Sequence, residues 1–130
     1  MSLNDAAADI EPWRDRVTLG LMALAAVAVL AAITSALPAL GATGPAIAAR
    51  TEAGIGAVFF AVLFVLLGFR PRRYPFLFEL VILHRVVLGA FGIVTTIGGA
   101  MGALVPALAD TAIAILIAAA YVFGRGFDAW

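Results

Sequence analysis

The sequence predicts an all-α membrane protein: a bundle of four transmembrane helices with both chain ends on the cytoplasmic side. Three observations carry this expectation. The 130 residues are 65% hydrophobic and 12% charged, whereas a water-soluble domain is about half apolar and about a quarter charged. The apolar residues gather into four stretches of span length, parted by short segments rich in proline, glycine or arginine. The arginines, finally, fall almost entirely in alternate segments, as they do when one side of a membrane is cytoplasmic.

Residues 1–16 read as a polar cytoplasmic leader, with Asp5, Asp9, Glu11 and Asp15 set against Arg14 and Arg16. A short interfacial helix over 9–15 would hold Trp13 at headgroup depth, where tryptophan is enriched. The membrane domain, 17–126, begins with a first helix over 17–37. At ~1.5 Å per residue that stretch crosses ~30 Å of hydrocarbon. It is too long for the apolar region of a cleaved signal peptide, which runs ~7–15 residues. Pro38, Gly41 and Gly44 make a loop, and Pro45 suits the first turn of a second helix over 46–69, where its missing N–H costs nothing. Arg70, Pro71, Arg72, Arg73, Tyr74 and Pro75 form a basic turn. A third helix spans 76–99, with Gly98, Gly99 and Gly102 loosening its exit. Pro106 opens the fourth, 106–124, and 127–130 is a cytoplasmic tail. With four crossings, Arg14, Arg16, Arg70, Arg72, Arg73 and Arg125 lie on one side and Arg50 alone on the other. The expected location is therefore the cell membrane, multi-pass, with both termini in the cytoplasm.

Composition also removes classes of function. There is no cysteine, so thiolate nucleophiles and thiolate metal sites are excluded. Net charge is zero, and nothing favours nucleic acid as a partner. A lone histidine, His84, cannot supply both axial ligands of a haem, so neither a metal nor another cofactor is expected. All eight basic residues are arginine.

Lipid gives no hydrophobic drive for helix association, so close approach through small residues does much of the work. In the third helix Gly89, Gly92, Thr96 and Gly99 recur at spacings of three and four, and the same stripe extends back to Arg85. The cation should then point into the bundle. Ala28, Ala32 and Ala36 line one face of the first helix. Glu52, Gly56 and Phe59 or Phe60 share a face of the second. Asp110, Ala114, Ala118 and Tyr121 share one of the fourth. These faces predict that the ions converge.

Each ionisable residue has a chemical and a structural reading. Arg85 lies about 15 Å into its helix, where insertion scales place the cost of a central arginine at ~2.5–3.5 kcal/mol. It is a fixed cation for an anionic or carbonyl-bearing ligand, half of an ion pair with Glu52 or Asp110, or a side chain that snorkels toward the cytoplasmic headgroups. Glu52 is a candidate general acid or base, or a carboxylate favoured by the positive end of its helix dipole. Asp110 reads first as an N-cap or first-turn residue, and second as a partner of Glu52 in acid–base work. His84 is offset by about 100° from Arg85 and is expected to be neutral and hydrogen-bonded to a neighbouring helix. Glu79 should pair with the arginines of the 70–73 turn.

The layout resembles the DoxX-like group of small four-helix membrane proteins. The likeness rests on the Pro- and Gly-rich loop after the first helix, on Glu52 with Gly54 and Gly56, and on the basic turn. Arg85 inside the third helix, Gly98–Gly99 at its exit and Asp110 at the start of the fourth complete it. An aspartate rather than a glutamate in the fourth helix, and His84, depart from the group's pattern. The resemblance implies a four-helix bundle with a polar cluster, in a group some of whose members are linked to membrane redox complexes; it implies no reaction.

Three functions are therefore expected, in order. The first is non-catalytic: an accessory, assembly or scaffold subunit of a larger membrane complex, or a homo-oligomer. The second is an isomerase- or cyclase-type enzyme, or a binding protein, for a lipophilic molecule. There Glu52 and Asp110 would form the acid–base pair, Arg85 would anchor a polar head, and Phe59, Phe60, His84 and Tyr121 would stand around the ligand. The third is proton-coupled export, disfavoured because 17–37 has no ionisable residue.

Overall fold

Proline opens three of the four α-helices among the described residues. The computed structural model of the protein describes residues 12–36 and 45–125, and there the chain is all-α. Helix α1 runs Pro12–Ala36, α2 Pro45–Phe69, α3 Pro75–Ile97 and α4 Leu104–Phe123, with a 3₁₀ turn at Met101–Ala103 leading into α4. The leader's acids at 5, 9 and 11, the 38–44 loop and the 127–130 tail fall outside the described residues, as do the side chains of Ala32, Ala36 and Arg50.

The observed boundaries follow local signals rather than hydropathy. α1 begins at Pro12, five residues before the apolar stretch, so the polar turn holding Arg14, Asp15 and Arg16 continues into the span as one helix. The ring of a first-position proline is pre-set for helix and lacks only an N–H that would have no partner there. α4 begins at Leu104, two residues before Pro106, which therefore sits third in the helix. The first four N–H groups of a helix have no intrahelical acceptor, so the proline is tolerated there too. α3 ends as Gly98 donates to the Val94 carbonyl and Gly99 to that of Thr96, both at 3.0 Å. Gly99 has φ +103°, a conformation open to glycine at no steric cost.

Among the described residues three helical stretches are long and apolar enough to cross a membrane: Thr51–Phe69, Pro75–Ile97 and Met101–Phe123. In space the close-packed neighbours are α1 with α2, α1 with α4, and α3 with α4. α2 and α3, although joined by the shortest connection, do not pack closely along their length. The seam between them is bridged by side chains rather than by close backbone approach.

One end of the bundle is tied by polar contacts. Arg72, in the α2–α3 turn, grips both carboxylate oxygens of Asp15 at 2.8 and 2.9 Å and reaches the Gly124 carbonyl at 3.3 Å. Arg14 Nε donates to the Phe123 carbonyl at 3.2 Å. The buried Thr18 hydroxyl stands 2.9 Å from the Arg14 carbonyl and 3.3 Å from that of Ala120. Those contacts bring the start of α1, the basic turn and the end of α4 together. Just beyond them lies the apolar core, where Met22, Phe64, Phe78 and Ile117 are fully buried.

Candidate functional site

Two glycines determine how near α4 comes to α3. A Cβ added to Gly89 would lie 2.6 Å from Thr111 Oγ1, and one on Gly92 would lie 2.6 Å from the Ala107 Cβ. With no side chain at either position the two backbones close up, as small residues allow in lipid. That approach brings Arg85, one turn before Gly89, onto Asp110, one residue before Thr111. Arg85 Nη1 donates to Asp110 Oδ1 at 2.6 Å, and the side chains are 10% and 21% exposed. The pair lies near mid-helix in α3, where lipid would otherwise leave the charge unanswered.

The rest of the guanidinium rests on aromatic rings. Its central carbon is 4.8 Å from the Phe60 ring centroid and 5.7 Å from that of Phe64, within reach of the attraction between a cation and a ring face. Arg85 Nε is buried and has no hydrogen-bond partner among the described residues. On Asp110 the one hydrogen bond among the described residues falls on Oδ1.

The ion pair forms part of the wall of a cleft of about 360 Å³, to which all four helices contribute. Ala28 and Val29 come from α1, Gly56 and Phe60 from α2, His84 and Leu88 from α3, and Pro106 and Ile113 from α4. His84 stacks on Phe60, ring centroids 4.9 Å apart and planes 19° from parallel. This stack spans the seam between α2 and α3. His84 and Leu88 are themselves exposed, so the cleft reaches the lipid-facing side of the bundle.

The structure separates the other candidates. Glu52 is exposed and does not line the cleft. Gly56, expected on a packed face, has nothing within 4 Å of where a Cβ would stand, because its face looks into the cleft. Phe59 points outward at 64% exposure and borders a surface groove with Thr51, Gly54, Ile55 and Val58. Tyr121 packs against Phe78 and donates to Glu79 Oε1 at 2.7 Å, away from the cleft lining. Glu79, expected to pair with the basic turn, also meets α4, since its position four residues after Pro75 sets it opposite Tyr121. Asp110 is not a cap: α4 starts six residues earlier, so its carboxylate is carried two turns into the helix, level with Arg85.

Sequence reasoning passed over Phe64 and the clamp of Asp15 with Arg72. Phe64 follows Phe60 by four residues and so shares its face, a spacing that was legible. The clamp joins residues 57 apart in sequence, and no local pattern announces it. Comparison of the chain with protein families, curated proteins and solved structures returns no match.

Proposed function

We propose that this is a multi-pass protein of the cell membrane, with four crossings and both termini cytoplasmic, that binds a lipophilic small molecule in the cleft beside Arg85 and Asp110. α1 supplies the fourth crossing, since residues 17–36 are mostly apolar with no ionisable group and span roughly 30 Å as a helix. The tied end, which gathers Arg14, Arg72 and Arg73, is the cytoplasmic one.

One observation carries the reading: a buried ion pair stands in the wall of a lipid-facing cleft of ligand size. Small-molecule sites are mostly apolar hollows of about 300–1,000 Å³ with a few placed polar groups, and about 360 Å³ with one ion pair and one imidazole fits that description. The role is binding rather than acid–base catalysis, because of the two candidate carboxylates only Asp110 lines the cleft. An accessory or scaffold role drew on small-residue faces, but Gly89 and Gly92 are taken up inside the bundle. A DoxX-like affiliation is compatible with this reading, as Arg85 and Asp110 are among the residues on which that likeness rests.

The test is extraction in mild detergent followed by native mass spectrometry. The wild type should carry a bound lipophile, and Gly56→Leu, which fills open space in the cleft, should lose it. Identical lipophile content in both proteins, or a stoichiometric protein partner in place of a small molecule, would overturn the reading in favour of a subunit role.

A further inference from the structure

We infer that the cleft selects a lipophile whose head is a neutral hydrogen-bond donor, an alcohol or phenol, and rejects anionic and cationic heads. The inference rests on the binding role proposed above and specifies its ligand. Its first ground is charge. Arg85 and Asp110 already neutralise each other across 2.6 Å, so a carboxylate or ammonium head would bring an uncompensated charge into a low-dielectric site. Burying an unpaired charge is costly, whereas a neutral polar group needs only a hydrogen-bond partner.

The second ground is which polar atoms remain. Arg85 is nine-tenths buried; Nη1 is committed to Asp110, Nε is sealed from solvent, and the guanidinium is laid against Phe60 and Phe64. Its Nη2 makes no hydrogen bond among the described residues and can donate to an uncharged oxygen, but a visiting anion would compete with Asp110 for a guanidinium already neutralised. Asp110 is different. It lines the cleft, keeps about a fifth of its side chain exposed, and holds Oδ2 without a hydrogen bond among the described residues. An ionised carboxylate only accepts, so the complementary head is a donor, and a hydroxyl donates without adding charge. The expectation of an anion held by Arg85 is thus inverted: the arginine fixes Asp110, and Asp110 reads the ligand. The Phe60–His84 stack borders the same space and gives the adjoining carbon skeleton a flat apolar wall.

The experiment compares ligands that share a tail and differ only in head. Dodecanol, dodecanoate, dodecylammonium and dodecyl methyl ether are titrated against the full chain in nanodiscs, with radiolabelled dodecanol as the displaced probe. Dodecanol should bind about tenfold or more tightly than the ether, which accepts but cannot donate, as expected for one hydrogen bond to a charged acceptor. It should exceed both ions likewise. A diacylglycerol added to the series tells a membrane lipid from a free single-chain lipophile, and binding of either supports the inference. In Asp110→Ala the preference should reverse toward dodecanoate, whose carboxylate then answers the freed Arg85. Strongest binding by dodecanoate to the wild type, or equal binding of all four heads, would overturn the head-group assignment while leaving the cleft reading intact. Binding of every head unchanged by Gly56→Leu would remove both. The wild-type series needs no variant to fold.

Discussion

What happens when Arg85 loses its partner measures how far the site depends on pairing. Breaking a buried pair on one side leaves a stranded charge and costs about 3–5 kcal/mol, while replacing both members with apolar groups is often neutral. Asp110→Ala should therefore lower the melting temperature in detergent sharply, and Arg85→Leu with Asp110→Leu should recover most of the loss. If the double variant is no better than the single one, the pair is not a coupled unit. The clamp at the other end of the molecule is a contrast. Asp15 and Arg72 are 43% and 28% exposed, and exposed pairs contribute about 0–1 kcal/mol. Asp15→Asn should shift stability by no more than that in a urea or thermal series, despite the bidentate geometry.

Among the elements, α3 and α4 are held at a distance that two glycines permit; Gly68 does the same between α2 and α1, where an added Cβ would lie 2.9 Å from that of Met22, whereas Gly56 is open. Gly92→Ala drives a methyl group into Ala107, with the Ala107 Cα only 3.2 Å away. Overpacking of that kind costs about 1–3 kcal/mol, and it should also part Arg85 from Asp110. Gly56→Ala meets open space and should be neutral, or stabilise by up to about 1 kcal/mol through helix propensity. Equal stability of the two variants would mean that the α3–α4 contact is looser than described. The spacing of Gly89 and Gly92 with Arg85 was readable from the sequence because one helix carries all three. That Glu52 turns outward was not readable. Its face of α2 shares Gly56 with the cleft, and only the seam between α2 and α3, a relation between helices, reveals that this face is not packed against a neighbour.

For the molecule as a whole, the all-α architecture and three membrane-length helices were legible in composition and spacing, because lipid permits few backbone solutions. Boundaries were less so. Pro12 and Leu104 start their helices on polar or turn-like ground that a hydropathy reading assigns to the leader or the preceding loop. The proposed topology can be checked cleanly, since the chain has no cysteine of its own. Ser2→Cys should resist a membrane-impermeant maleimide in intact cells and react only after permeabilisation, whereas Thr43→Cys should react from outside at once. Labelling of both from outside, or of neither, would rule out the arrangement of four crossings with cytoplasmic ends.

Arg85 and Asp110 are 25 residues apart, and the acid comes second. During synthesis the arginine leaves the ribosome 25 residues ahead of its counterion, so the third segment reaches the membrane before α4 can follow. A polypeptide stopped after Ile97 would hold the cation against Phe60 and Phe64 but without its counterion, and membrane proteases are expected to clear such a fragment. Completion of the last helix, rather than entry of the first three, is thus the event that commits the chain to its native state.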